Sequence, residues 1–266
     1  MAIIHDPSLP SALPSVELFG IRIHQLRMAQ AIGVIKHWMD QDSTLCRYVV
    51  TPNVDHLVLL REQAALRQSY ANADLVLADG FPIVWASRWF RRPLPERVAG
   101  SDLIPALFAA ASPDQPIRVF WLGAAPGVAE RAAVRVGQLW PHVQTVGCDS
   151  PPIGFERDPS ASERILDKIA SAQPHLLVVG LGAPKQEIWV QMYRDRLAAK
   201  VALCAGATID FMAGQRRRAP VWMRHCGLEW LHRAASEPRR LVVRYLRDAW
   251  IFPQILWRQV RRPQAF

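Results

Sequence analysis

The strongest constraint on the fold of this chain is a short apolar run that recurs along the sequence. Such runs occupy residues 46–50, 75–78, 117–122, 175–179 and 201–204, and helical spacing of apolar residues follows most of them. Apolar runs of four to six residues are typical of strands buried on both faces. Their alternation with helices predicts βαβ units, and hence an α/β fold: a Rossmann-like parallel-sheet body with helices on both faces.

The residues that follow these runs predict where ligands bind. Thr51-Pro52-Asn53 follows the first run, Asp79-Gly80 the second and Gly123 the third, and the later runs also end in glycine turns. Ligands of open parallel sheets bind at the carboxyl ends of the strands. The sequence therefore predicts a site along that edge.

Three segments are expected along the chain. Residues 1–15, with three prolines, form a flexible start, and residues 16–214 form the body, which opens with a short strand pair around Gly20. Residues 215–266 form a helical appendage. Within it the spacing predicts one helix over residues 220–235 and another over 238–262, broken near Pro253.

The appendage carries the whole net charge of +9. Residues 211–266 hold 12 Arg against three acidic residues, whereas residues 1–210 sum to zero. A solvated helix face, a nucleic-acid patch and a membrane-surface helix are all compatible with this pattern. Tryptophans beside the arginines favour an anionic membrane surface, where indole rings lie at headgroup depth.

Composition excludes several classes of protein. Half of the residues are apolar, which is incompatible with wholesale disorder. There is no run of 18 apolar residues and no signal-peptide pattern, so we expect neither a membrane span nor export. The four cysteines are far apart and fit reduced thiols in a cytosolic protein. No metal site is expected, because no His-x-x-x-His or zinc-type cysteine spacing occurs.

The residues at the strand ends have two readings each. Asp79 suits a general base but could equally cap the next helix, and Thr51 and Asn53 could bind a polar ligand or cap a helix. The turn at Gly123 could cradle a phosphate or only turn the chain tightly. Arg97 could clamp a sugar or diphosphate oxygen, or be a solvated surface residue.

Six motifs in the same order resemble the WecG/TagA/CpsF glycosyltransferases, glycosyltransferase family 26, over about residues 16–250. They are Thr51-Pro52-Asn53, Ala78-Asp79-Gly80, residues 97–103, residues 122–127, residues 182–187, and residues 218–220 with 227–231 and 237–240. The segments 16–27 and 48–60 look closest to the exopolysaccharide branch, which includes the xanthan-type β-1,4-glucosyltransferase.

The resemblance implies an inverting, metal-independent and cofactor-free enzyme. It would move a sugar from a UDP-sugar to a polyprenyl-diphosphate-linked saccharide, as a cytoplasmic protein peripheral to the inner face of the cell membrane. The branch resemblance points to glucose as the donor sugar, in exopolysaccharide biosynthesis. N-acetylmannosamine and N-acetylmannosaminuronate are the alternatives.

The resemblance also implies roles for individual residues. Asp79 matches the general base that removes the acceptor hydroxyl proton. The sugar pocket matches Thr51, Asn53, Arg97 and Gln186. The nucleotide-binding edge matches Gly123, Gln186 and Asp210, and the diphosphate-binding arginines of the appendage match Arg233, Arg240 and Arg244.

Two other classes of protein remain open from the residues alone. Strand–glycine–helix turns also serve NAD(P) oxidoreductases, although no Gly-x-Gly-x-x-Gly is present here. The cationic tail could instead belong to a nucleic-acid-binding module, but the membrane reading is preferred and no nucleic acid is expected as a partner. A homo-oligomer is compatible with the sequence, since relatives can oligomerise through the surface that the appendage covers.

Overall fold

A computed structural model describes residues 13–261, apart from the side chains of His225 and Arg240. Most of the predicted flexible start therefore lies outside the described residues. The chain is first seen as an antiparallel hairpin of β1 (Ser15–Leu18) and β2 (Ile21–His24). It turns at Phe19 and Gly20, whose φ angles are 56° and 76°. This confirms the predicted strand pair around Gly20.

A parallel sheet of six strands forms the centre of the body, in the order β4-β3-β8-β7-β5-β6. Its strands are β3 (Arg47–Val50), β4 (Leu75–Val76), β5 (Ile117–Gly123), β6 (Val143–Asp149), β7 (Leu176–Gly180) and β8 (Val201–Cys204). The apolar runs predicted five of these strands, and the parallel α/β architecture is confirmed.

Helices cover both faces of the sheet. In the body they are α1 (Met28–Asp40), α2 (Val54–Glu62), α3 (Ala64–Ala71), α4 (Phe81–Trp89), α5 (Gly100–Ala109), α6 (Val128–Leu139), α7 (Pro159–Ala172), α8 (Lys185–Tyr193) and α9 (Thr208–Met212). Neighbouring strand residues belong to separate core clusters: Tyr48 and Val50 to one, Val49 to the other. This alternation places one hydrophobic core on each face of the sheet.

The sequence missed the edge strand β6. Its first residue, Val143, is buried, but Gln144 and Thr145 are exposed and the rest is half-buried. Because β6 pairs only with β5, it carries no continuous apolar run. Helices α3 and α7 were also not predicted.

The appendage contributes α10 (Val221–His225), α11 (Glu229–Ser236) and α12 (Pro238–Arg261). The prediction of one helix over residues 220–235 was wrong, because the chain breaks at Gly227. This glycine has a φ of 75°, and a Cβ atom there would lie 3.0 Å from the Phe81 ring. Both the backbone angle and the close approach to α4 require glycine.

The predicted break of α12 near Pro253 was also wrong, since the helix runs through the proline. A proline inside a helix removes one backbone hydrogen bond. Contacts with the body hold α12 on both sides of that position. Phe252 and Ile255 pack on the core, and the Gln259 Oε1 atom accepts a 2.7 Å hydrogen bond from the Phe19 N–H.

Helix α12 packs on the body through a mixed face, in which the apolar residues Leu241 and Ile255 are buried beside polar ones. Asp248 is buried, and Arg244 and Arg247 are turned toward the body. The side chains of Val243 and Trp250 are 72% and 77% exposed. In the described part of the chain, no helix is both long and apolar enough to cross a membrane.

Candidate active site

A cavity of about 490 Å³ lies between the carboxyl edge of the sheet and the appendage. The loops after β3, β4 and β8 form its floor, and α11 and α12 form much of its roof. The predicted site residues that line it are Thr51, Asn53, Asp79, Arg97, Gln186, Arg233 and Arg244. Its volume falls within the range of about 300–1,000 Å³ that is common for small-molecule sites.

Asp79 lies directly after β4 and does not cap the following helix. The N-cap of α4 is Gly80, and no side chain accepts a capping hydrogen bond there. The Asp79 N–H instead donates to the carbonyl of Pro52 at 2.8 Å, which joins the loops after β4 and β3. The carboxylate is one-quarter exposed, toward the cavity.

The surroundings of Asp79 raise the pKa of its carboxyl to about 7. Burial is the largest cause, and Arg97 opposes it. The negative charges of Glu229 and Asp102 add to the rise, and His56 weakly opposes it. A carboxyl whose pKa lies near neutral pH can accept a proton from a substrate hydroxyl and release it afterwards.

Arg97 is held among carboxylates and is only 15% exposed, so it is not a solvated surface residue. Its guanidinium donates to Asp102 at 2.6 Å and to Asp79 at 3.2 Å. It also lies 3.8 Å from Glu229 of the appendage. Arg97 therefore fixes the orientation of the Asp79 carboxylate.

Asp102 joins this network to the appendage. Its Oδ1 atom accepts hydrogen bonds from Arg218 at 2.8 Å and Arg224 at 3.1 Å. Burial acts to raise the pKa of Asp102, but the hydrogen bond and charge of Arg218, with the charges of Arg97 and Arg224, lower it overall. The site thus keeps one carboxylate ionised and another close to its titration point.

Asn53 is both a helix cap and a cavity residue. Its Oδ1 atom accepts from the His56 N–H at 3.3 Å, as expected for the N-cap of α2. The His56 ring lies 2.8 Å from the same oxygen and 3.3 Å from Glu187. Burial acts to lower the pKa of His56, but the hydrogen bond and charge of Glu187 raise it overall.

Gln186 holds two glycine turns together beneath the cavity. Its Oε1 atom accepts from the Gly182 N–H at 3.2 Å and the Gly206 N–H at 3.1 Å, and its amide donates to the buried Glu187 at 2.8 Å. One side chain therefore fixes the loops after β7 and β8 to each other, although Gly206 lies 20 residues beyond Gln186.

Gly123 and Asp210 do not line the cavity. A Cβ atom at Gly123 would lie 2.6 Å from the carbonyl oxygen of Gly180, so close packing of β5 against β7 requires glycine there. Asp210 lies in the first turn of α9, 3.7 Å from Arg216.

The three appendage arginines have different surroundings. Arg244 donates to Asp55 of α2 at 3.3 Å. Arg233 lines the cavity, and its guanidinium has no acidic partner among the described side chains. The side chain of Arg240 lies outside the described residues. Among the described arginines of the appendage that line the cavity, Arg233 is therefore the one open to an anionic ligand.

A second ion-pair cluster attaches α12 to the body. Arg247 donates to the Asp55 Oδ1 atom at 2.8 Å and lies 3.6 Å from Asp248. Burial, and then the negative charge of Asp55, raises the pKa of Asp248 to about 6, against the opposing charges of Arg247 and Arg244. The two carboxylates and two arginines form the main polar contact between α2 and α12.

Several residues of the site were not singled out from the sequence. Asp102, Arg218 and Arg224 belong to motifs of the resemblance, but no local pattern indicates that they meet. The contact between His56 and Glu187 spans 131 residues and has no sequence signal. Within residues 13–261, no group of three His, Cys, Asp or Glu side chains is placed to hold a metal ion.

Comparison with known proteins gives consistent matches. The chain is similar to the N-acetylglucosaminyldiphosphoundecaprenol N-acetyl-beta-D-mannosaminyltransferase of Staphylococcus aureus strain MRSA252, with 27% identity over 85% of this chain and 86% of the relative. The protein of the same name from Bacillus spizizenii is 31% identical over 73% of this chain and 72% of the relative. Neither name describes a glucosyltransferase, so these relatives do not support the expected xanthan-type branch.

The family model described as "Glycosyl transferase WecG/TagA/CpsF family" matches residues 16–265. This match includes the strand-end loops, the cavity and the appendage that closes it. The chain therefore belongs to the WecG/TagA/CpsF family of glycosyltransferases, and the fold and enzyme class expected from its motifs are confirmed.

Proposed function

We propose that this enzyme transfers an N-acetylmannosaminyl group from its UDP-linked donor to a polyprenyl-diphosphate-linked N-acetylglucosamine. The observation that carries the proposal is the presence in one cavity of Asp79, with its raised pKa, and Arg233, which has no acidic partner among the described side chains. The relatives' names supply the sugar and the acceptor. Glucose, expected from the branch resemblance, is replaced by the alternative that those names support.

The chemistry is a direct displacement at the anomeric carbon. Asp79 accepts the proton of the acceptor hydroxyl while that oxygen forms the new glycosidic bond. The bond from the anomeric carbon to the UDP oxygen breaks, and its electron pair leaves with UDP. A single displacement inverts the anomeric centre, so an α-linked donor gives a β-linked product, in agreement with the β in the relatives' name.

The positive charge of Arg233 stabilises the negative charge that develops on the leaving diphosphate. Arg233 reaches the cavity from α11, and the helix N-termini at the sheet edge add partial positive charge. Charge stabilisation by protein groups makes a metal ion unnecessary in this proposal. We expect transfer to continue in EDTA, and a loss that added Mg²⁺ or Mn²⁺ restores would contradict this part.

The remaining polar residues bind and orient the sugars in this scheme. Thr51, Asn53 and Gln186 surround the region next to Asp79, and Arg97 holds the carboxylate toward the acceptor. A role for Gly123 and Asp210 in nucleotide binding stays a prediction, because neither lines the cavity. The appendage, residues 215–266, would bring the site to the inner membrane surface, where a lipid-linked acceptor is found.

A donor panel tests the proposal. The full-length enzyme would be mixed with a polyprenyl-diphosphate N-acetylglucosamine and, separately, the UDP derivatives of N-acetylmannosamine, N-acetylmannosaminuronate, N-acetylglucosamine and glucose. Mass spectrometry should find one N-acetylhexosamine added with the first donor. Transfer of glucose alone would restore the glucosyltransferase expectation. Thermal stabilisation by NADH and not by UDP would contradict a UDP-sugar donor.

A further inference from the structure

Helix α4 of the body presents aromatic side chains to solvent. Phe81, Trp85 and Trp89 follow one another at intervals of four residues and so share one face of the helix. Trp85 is 74% exposed and Trp89 is 65% exposed, while Ile83 and Val84 on the other side are buried. Exposed tryptophans grouped on one helix are unusual on a surface that only water covers.

Cations border this aromatic face. Arg88 and Arg91 are exposed, and neither guanidinium has a hydrogen-bond or ion-pair partner among residues 13–261. Arg92 donates to the backbone carbonyl of Glu17, which ties the end of α4 to β1. The face therefore combines interfacial aromatic rings with unpaired positive charge on a fixed helix.

The aromatic face of α4 is continuous with the appendage. At one end, the Phe81 ring packs against Gly227, between α10 and α11. At the other end, a chain of ring contacts runs from Trp89 through Phe90 and Phe19 to Phe252 of α12, with centroid distances of 5.7, 5.9 and 6.3 Å. One end of α4 thus contacts the appendage directly, and the other end is connected to α12 through Phe19.

The same helix forms part of the cavity rim. Phe81 and Pro82, in its first turn, line the cavity, and the remainder of the exposed face leads away from it. A flat surface in contact with Trp85 and Trp89 would therefore lie beside the cavity opening.

We propose that α4 is a second membrane-contacting element, which holds the body itself on an anionic lipid surface next to the appendage. Trp85 and Trp89 lie at headgroup depth, and Arg88 and Arg91 bind lipid phosphates. A second copy of the chain fits less well, because a twofold contact through this face would bring the same arginines together. The proposal goes beyond glycosyl transfer and needs no donor to be tested.

Vesicle co-sedimentation of the full-length protein tests the contact. Wild type should bind vesicles of phosphatidylglycerol and phosphatidylcholine more tightly than pure phosphatidylcholine. Trp85→Gln with Trp89→Gln should lower the partition coefficient about tenfold, and Arg88→Gln with Arg91→Gln should lower it about as much on anionic vesicles only. Val134→Gln with Leu139→Gln, which removes exposed apolar groups from α6, is the matched control and should bind as wild type does.

A second measurement locates the rings. Trp85→Phe with Trp89→Phe keeps the apolar surface, so it should still bind but lose part of the tryptophan quenching by brominated lipids. Unchanged quenching, or unchanged vesicle binding by the glutamine variant, would overturn the proposal. So would a glutamine variant that shifts the sedimentation coefficient toward a smaller species while it keeps its vesicle affinity, since the face would then be a self-association surface. Equal thermal unfolding of all variants ensures that the comparison concerns folded protein.

Discussion

Helix α6 of the body buries an apolar face, whereas α12 of the appendage buries polar residues together with the apolar Leu241 and Ile255. In α6 of the body the buried residues are apolar, among them Val128, Ala132 and Val136. In α12, Asp248 and Gln259 are among the buried residues, while Leu246 and Trp250 are exposed. The body is stabilised by hydrophobic burial in water, whereas polar contacts and ion pairs contribute much of the attachment of α12. Part of the apolar surface of α12, including Leu246 and Trp250, stays exposed.

The cavity lies where the body and the appendage meet. Asp79, the proposed base, comes from the body, and Arg233, which has no acidic partner among the described side chains, comes from the appendage. We therefore expect substitutions in the body to change the rate of transfer. Substitutions in the appendage should change the binding of anionic ligands and the packing of α12 on the body.

The largest loss of transfer should come from substitution of Asp79, the proposed general base. Asp79→Asn keeps the size of the side chain but cannot accept the acceptor proton, so transfer should fall about 10²–10⁴-fold. UDP binding, measured by calorimetry, should persist. Asp114→Asn, at an exposed surface aspartate, is the matched control. A wild-type transfer rate for Asp79→Asn would remove the base assignment.

The pH dependence of kcat/KM should reflect the titration of the Asp79 carboxyl. Because its pKa in the fold is about 7, kcat/KM should fall roughly tenfold per unit below that pH, as the base becomes protonated. The folded-state pKa is raised, so the protonated form stabilises the fold, and this contribution is lost as pH rises from about 4 to about 7. Asp79→Asn should thus gain Tm relative to wild type over that range. A flat activity profile between pH 5.5 and 7.5 would exclude Asp79 as the titrating base.

Removal of the positive charge of Arg233 should have the next largest effect on kcat/KM. Arg233→Gln should lower kcat/KM about 10–100-fold, because one charge-assisted contact to the diphosphate is lost. Arg217→Gln removes an exposed appendage arginine that does not line the cavity, and should be nearly neutral. If both variants lose activity equally, then the appendage acts through its overall charge and not through Arg233.

Loss of the ion pairs between α2 and α12 should weaken the packing of α12 on the body without disturbing the sheet. Asp55→Asn removes the carboxylate that Arg244 and Arg247 share, leaves Arg247 only Asp248, and should cost about 1–3 kcal/mol. Hydrogen exchange should then rise in α12 and stay low in β5 and β7. Glu62→Gln, on the exposed face of α2, serves as the control. Equal exchange increases in both regions would show that α12 and the sheet unfold as one unit.

The smallest effect concerns Asp248, whose pKa is raised to about 6. Since the raised pKa means that the ionised form disfavours the docked state, α12 should be protected less as pH rises from about 4 to about 6. Asp248→Asn should remove this dependence and increase protection at pH 7.5 by on the order of 1 kcal/mol. A larger protection in wild type at pH 7.5 than at pH 5 would reverse the assignment.

The sequence predicted the parts of the site that follow from sheet geometry. Thr51 and Asp79 meet because parallel strands bring their carboxyl ends to one edge, and buried strands are visible as apolar runs. The partners of these residues were not predictable in the same way. Arg218 reaches Asp102 across 116 residues, and such a contact depends on how the appendage packs.

Two features of the appendage were also not predictable from the sequence. The helical wheel of α12 shows two faces but not which residues meet the body, because the buried side of the helix holds both polar and apolar residues. Pro253 predicts a break that does not occur, because contacts on both sides hold the helix to the body. Edge strand β6 was not predicted because most of its residues are exposed or half-buried, so it has no continuous apolar run.

The hydrogen bond between Phe19 and Gln259 links the two ends of the described chain across 240 residues. During synthesis, the hairpin that contains Phe19 leaves the ribosome on the order of tens of seconds before its acceptor is made. Until then this backbone N–H can only be satisfied by water, and the hairpin lacks its last covering helix. The first-made hairpin of the protein therefore reaches its final packing only after residue 259 has been synthesised.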